Sequence, residues 1–295
     1  VITKALETSR QILEDAAMLK EANYSEVRAS LTASSRAIEV AGPVRKLMDL
    51  VLAIRTGDAN VPATFGEESL NVSLSHAAEQ RIEILAPVHF PVQFPEVFMR
   101  HNPGFDVVVG NPPWEKLHVK EDAWWTLRFP GLLSLSPREK LMRIQALRQE
   151  HPELLRALEQ EQSGYELLKE VISSGPYPGV GSAHIDLYVV FAWRNWTLTR
   201  RGGTNGLVLP RSAFVGSGTQ LWRRDILTQG AFSSIVFAVN AKEWVFEGVA
   251  SGIAVAFVVI TKTYASDLRV IGTVFSQQEL LDKEKHLGTL SAATI

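Results

Sequence analysis

Cysteine is missing from all 295 residues. That excludes disulfides and thiolate metal sites, and it fits a reducing cytoplasm. Long apolar runs are missing too. The longest, Gly252 to Ile260, is far shorter than the roughly 20 residues a membrane-spanning helix needs, so no membrane partner is expected. No signal-peptide pattern opens the chain. Neither sign of charge is in excess: 30 lysines and arginines stand against 32 aspartates and glutamates, for a net charge of −2. A protein that grips nucleic acid over a wide area carries a basic patch, and none dominates here. The seven histidines show no metal-ligand spacing, and His101, His118, His151 and His184 read as surface or loop residues. No internal repeat or low-complexity segment is present.

What remains is an ordinary core-forming composition, 46% hydrophobic and 21% charged. Its most informative stretch is Phe105-Asp-Val-Val-Val-Gly-Asn-Pro-Pro-Trp114. A short apolar strand runs directly into Asn111, Pro112, Pro113 and Trp114. Consecutive prolines fix φ and donate no N–H, and Pro112 pushes Asn111 away from helical geometry. The product is a rigid corner with carbonyl oxygens, one amide side chain and an aromatic wall. The Asn111 side-chain oxygen and the Pro112 carbonyl are suited to accept the two hydrogens of an exocyclic amino group. The bland alternative is a turn punctuated by prolines.

The remaining pattern is alternating. Residues 3–56 carry apolar positions at helical spacing, 57–80 read as a loop with a short helix, and 82–86 and 105–110 as strands. Helices fill 121–172, with charges on their outer faces. A Gly/Pro/Ser loop spans 174–183. Asp186 is a candidate N-cap for a helix to about Arg200, closed by Gly202-Gly203. Then come a strand at 205–210, a helix at 218–229, and strands at 232–240 and 251–261. This order predicts an α/β sheet with an antiparallel hairpin at its edge. Ligands in such sheets bind beyond the carboxyl ends of the strands. Asn111 sits there, and so does Arg211, either as a phosphate contact or as a solvated loop cation.

Asn-Pro-Pro-aromatic after a strand resembles the catalytic motif of the N6-adenine DNA methyltransferases. The flanks extend the likeness. His89-Phe-Pro-Val-Gln-Phe-Pro-Glu-Val-Phe98 is similar to the lead-in of large restriction–modification methyltransferases, including the type II enzymes that fuse cutting and methylation in one chain. Asp186-Leu-Tyr188 and Gly206-Leu-Val-Leu-Pro-Arg-Ser-Ala-Phe214 resemble the helix and strand that follow the motif. The likeness covers residues 85–262 or so.

The resemblance implies part of a Rossmann-like methyltransferase sheet, with a helical segment at 1–84 and a catalytic region at 85–264. A helical insertion occupies 115–183, and a following region, toward target recognition, starts within 265–295. It implies S-adenosylmethionine as cofactor, double-stranded DNA with a flipped adenine as partner, and a bacterial cytoplasm. Asn111, Pro112, Pro113 and Trp114 are then catalytic, with Asn111 also touching the cofactor. Trp114, Phe246 and Arg211 bind the substrate. The long insertion favours a DNA enzyme over methylation of a protein glutamine amide or of RNA. A non-catalytic scaffold is the other alternative, because the main cofactor turn is absent: no strand before Phe105 ends in a glycine-rich turn. Gly179-Val-Gly181 follows Gly175-Pro-Tyr-Pro178 rather than a strand. A chain that starts at Val1 and stops at Ile295 also reads as a piece of a longer polypeptide.

Overall fold

Alternate residues from Gly203 to Leu209 are buried, the pattern of a strand with two unequal faces. They belong to β2 in the computed structural model, which describes residues 1–20, 23–58, 67–181, 185–264 and 267–291. Six strands form one sheet: β1 (Phe105–Gly110), β2 (Thr199–Pro210), β3 (Ala231–Val239), β4 (Ala254–Thr261), β5 (Asp267–Val274) and β6 (Leu287–Ser291). The order is β1-β2-β4-β3-β5-β6. β1 is parallel to β2 and β3 to β5, while the other neighbours are antiparallel. The protein is therefore α/β with a mixed sheet.

Thirteen helices are described: α1 (Ile2–Ala17), α2 (Tyr24–Val40), α3 (Gly42–Arg55), α4 (His76–Leu85), α5 (Phe90–Gln93), α6 (Pro95–Phe98), α7 (Glu121–Arg128), α8 (Pro137–Glu150), α9 (Pro152–Ser173), α10 (Leu187–Leu198), α11 (Ser212–Val215), α12 (Gln220–Gln229) and α13 (Gln277–Leu281). None of them is long and apolar enough to cross a membrane.

One face of the sheet is well covered. α10 is apolar around most of its circumference and packs Tyr188, Val189, Ala192, Trp193 and Trp196 against Leu207, Leu209, Val258 and Ile260. α12 adds Trp222 and Ile226 to the same core. On the opposite face, Val236, Ala238, Ile271 and Val274 form a smaller core with Phe257 and Leu280. Toward β1 this second face is bare. Val109 pairs with Gly206, one residue out of phase with the buried Leu207, so it points away from α10. Val107 is 60% exposed and Val109 80% exposed. β1 also ends the sheet.

The insertion between β1 and α10 has its own core. Trp124 and Trp125 of α7 pack with Leu132, Ile144, Leu147 and Leu158. α8 starts at a capping box, in which Ser136 accepts from the Glu139 N–H while Glu139 accepts from the Ser136 N–H. The insertion is pinched off at its base: Leu117 N–H donates to Ile185 O at 2.8 Å and Leu187 N–H to Glu115 O at 3.0 Å. The Phe-rich lead-in is structural. Phe90, Phe94 and Phe98 surround Phe105 at 5.5–6.1 Å, each close to edge-on. His89 Nε2 lies 2.7 Å from Asp49 Oδ1 and ties this segment to α3.

Several expectations are corrected. Residues 82–86 are not a strand. Ile82 to Leu85 end helix α4, which is capped by Ser75 accepting from the Ala78 N–H and anchored by the buried Ala78 against Leu50 and Ala53. The hairpin of β3 and β4 is antiparallel as expected but lies inside the sheet, because β5 pairs with the far side of β3. β5 and β6 continue the same sheet through residues where the sequence alone suggests the start of a following region. Gly202 and Gly203 do not close a helix, since α10 stops at Leu198 and both glycines lie in β2. Asp186 occupies the N-cap of α10 without a side-chain cap bond. His184 lies outside the described residues.

Candidate active site

The corner sits at the carboxyl end of β1, as the sequence implies. Gly110 closes the strand, Pro112 is buried, Asn111 and Pro113 are exposed, and Trp114 is half-buried. Burial of Pro112 fixes the turn from beneath and leaves the Asn111 amide at the surface. The Trp114 indole N–H reaches toward Val208 O at 3.4 Å, which ties the corner to β2. Asn111, Pro112, Pro113, Trp114, Phe246 and Val249 line a cavity of about 250 Å³. Ligand pockets usually run from about 300 to 1,000 Å³, so this one suits a single planar ring system better than a large ligand.

Four of the expected site residues therefore come together with Phe246. Trp114 and Phe246 meet edge to face, with centroids 6.0 Å apart and planes at 87°. Arg211 is not among the cavity-lining residues. Its backbone N–H donates to Ala254 O at 3.1 Å and its side chain is exposed just beyond β2. The two flanking motifs do meet: the Tyr188 hydroxyl lies 3.2 Å from Ser212 Oγ. Burial pushes that phenol above the usual tyrosine value, and the Ser212 contact pulls against the shift.

Sequence reasoning missed Asn240. It follows β3 and is fully buried. Its side-chain oxygen accepts from the N–H groups of Val245 and Phe246, both at 3.0 Å. Its amide nitrogen donates to Phe246 O at 3.0 Å and Val249 O at 2.9 Å. One side chain thus holds both ends of the segment that puts Phe246 and Val249 into the cavity. Lys242 and Glu243 in the same loop have φ of 54° and 61°, a left-handed conformation that non-glycine residues rarely adopt. Only a loop fixed by other contacts sustains it. An asparagine directly after an apolar strand was the available signal.

Several other polar residues have structural partners, Asp106 among them. It pairs with Arg200 Nε at 2.5 Å and Arg100 at 3.0 Å. Those two hydrogen bonds, Arg200 first, hold its carboxyl below the ordinary aspartate value. Arg223 is not a free cation, because it donates to Ala213 O and Gly216 O at 2.9 and 3.0 Å. Arg194 lies over the Phe90 ring at 5.1 Å. The Gly175–Gly181 loop packs on α10, where the Trp193 indole donates to Pro178 O at 3.1 Å. No cluster of metal-ligating side chains occurs among the described residues.

No family model matches the chain, and no curated protein matches it. Among solved structures it is similar to a protein described as the ATP-dependent Type ISP restriction-modification enzyme LlaBIII bound to DNA. Identity is 13% and the TM-score 0.32, over 81% of this chain and 14% of that one. The chain thus spans about a seventh of that protein's length. A likeness of this degree carries no argument about activity.

Proposed function

We propose that the corner at 110–114 grips the exocyclic amino group of a flipped adenine in DNA for methylation, as part of a restriction–modification or phage-defence enzyme. The supporting observation is the shared cavity: an exposed amide on a rigid proline corner, facing two aromatic rings. An exocyclic amino nitrogen is a poor nucleophile because its lone pair is delocalised into the ring. Two acceptors held out of the ring plane, Asn111 Oδ1 and the Pro112 carbonyl, favour a pyramidal nitrogen and free that lone pair. This is preorganised electrostatics with positioning, and it needs no strong base. The base must leave the duplex to enter the cavity, and stacking on Trp114 returns ~1–3 kcal/mol of that cost.

The methyl donor expected from the motif is S-adenosylmethionine. Among the described residues no strand ends in a glycine-rich turn, and none pairs with the outer edge of β1. The corner offers one wall of a donor site, through Asn111. The test is nucleoside mass spectrometry on DNA treated with the full-length protein and S-adenosylmethionine. N6-methyladenine is the expected product. Methylated cytosine would refute the base assignment, and unmodified DNA would refute methyl transfer.

A further inference from the structure

A second cavity lies at the other end of the sheet. It is formed where β1 and β2 begin and β4 ends, so the length of the strands separates it from Asn111. Its volume is about 550 Å³, and it is lined by His101, Asn102, Thr197, Thr199, Arg201 and Lys262 among others. Among the described residues no carboxylate lines it. The nearby acids are engaged elsewhere. Asp106 pairs with Arg100 and Arg200, and Asp225 accepts from the Trp196 indole at 2.7 Å and from Gln229 at 2.5 Å.

The cations are held in place by the backbone. Lys262 N–H donates to Gly203 O and Gly202 N–H to Lys262 O, both at 2.9 Å. Gly202 has φ of +73°, so this tight connection suits glycine. The His101–Pro103 turn is locked against β2: a Cβ on Gly104 would come within 2.6 Å of the Arg200 nitrogen, and the Asn102 amide donates to Arg201 O at 2.9 Å. Lys262 Nζ donates to Thr199 O at 2.7 Å and lies 4.8 Å from the Trp196 ring centroid. An ammonium has three N–H donors, so two remain for a ligand. Burial disfavours the charge on Lys262; Asp225 favours it and Arg201 opposes it. The Arg201 guanidinium is exposed and has no ion pair among the described residues. Arg201 and Lys262 thus line one cavity, and among the described residues neither forms an ion pair with an acid.

We propose that this cavity binds the phosphate group of a small molecule, with Arg201 and Lys262 as the charged contacts and His101 as a hydrogen-bonding partner, while the Thr197 and Thr199 hydroxyls, which donate to Trp193 O and Asn195 O, line its wall. The donors converge on one hollow from three chain segments. They do not form the extended basic stripe that a nucleic-acid backbone requires, and the net charge of −2 supplies no such surface. The inference is independent of methyl transfer at Asn111.

Isothermal titration of the full chain at constant ionic strength tests it, with inorganic phosphate, pyrophosphate and a short DNA duplex as probes. Phosphate or pyrophosphate should bind saturably, and Arg201→Ala should weaken binding about tenfold or more, since one hydrogen bond to a charged group is worth about 1.5–3 kcal/mol. Arg201 is exposed, so that variant folds. Lys262→Met should act in the same direction, with its melting temperature checked separately. Equal heats from phosphate and chloride would overturn the proposal. So would unchanged phosphate binding by Arg201→Ala, or binding of duplex alone.

Discussion

Trp114 and Phe246 meet edge to face, with ring centroids 6.0 Å apart. One is fixed by the proline corner and the other by the loop after β3. A planar ring cannot lie flat on both in this arrangement. Trp114 is tethered to β2 by one long hydrogen bond, whereas the Phe246 backbone is held at both its N–H and its C=O by Asn240. The backbone of Phe246 is therefore fixed more firmly than the ring of Trp114.

Asn240 is the residue on which that arrangement depends. Asn240→Ala leaves several backbone groups of the 245–249 segment without partners, at about 1–3 kcal/mol for each buried unsatisfied group. We expect a stability loss of about 2–4 kcal/mol and faster proteolysis within 240–253. Asn240→Asp should keep the bonds to the two N–H groups and lose those to the carbonyls. A melting temperature unchanged in the Ala variant would contradict the assignment.

The two faces of the sheet should respond differently. Val109 is 80% exposed on the bare face, whereas Leu209 is fully buried under α10. Val109→Lys should change unfolding free energy by no more than about 0.5 kcal/mol. Leu209→Ala should cost about 2–5 kcal/mol. Urea denaturation of the two variants checks both. A large loss at Val109 would show that the face beside β1 is covered in solution.

The Asp106 ion pairs make a pH prediction. The folded-state carboxyl is held below its unfolded value by Arg200 and Arg100. Its contribution is therefore complete above the unfolded value of about 4. It fades as the pH falls through the lowered folded value. Asp106→Asn should lower the neutral plateau slightly and flatten this part of the acid limb, so that the two curves converge at low pH. The effect is small because the group is open to solvent. Urea midpoints measured from about pH 2 to about pH 7 give the comparison, and superimposable acid limbs would refute it.

Much of the fold was legible because its signals are local. The strands at 105–110 and 205–210 and the hairpin after 231 are apolar runs bounded by turn residues. Ile82 to Leu85 misled because a short apolar run has no readable period; the cap at Ser75 and the packing of Ala78 decided for helix. β5 and β6 gave weak signals, as Asp267, Arg269 and Thr273 interrupt the apolar pattern, and their place is set by pairing with β3. At the site, Asn111 to Trp114 could be read because they are contiguous. Asn240 could not, because its role exists only once the loop has folded back on it. The basic cavity was equally hidden, since its residues are drawn from three separate segments.

The most direct test of the central claim is a single-turnover methylation assay with Asn111→Ala in the full-length protein. Asn111 is exposed, so the variant should melt with the wild type. Loss of one acceptor on the amino group should slow methyl transfer to adenine by roughly 10²-fold or more, by analogy with removal of one oxyanion-hole donor. Transfer at close to the wild-type rate by a folded Asn111→Ala protein would contradict the account.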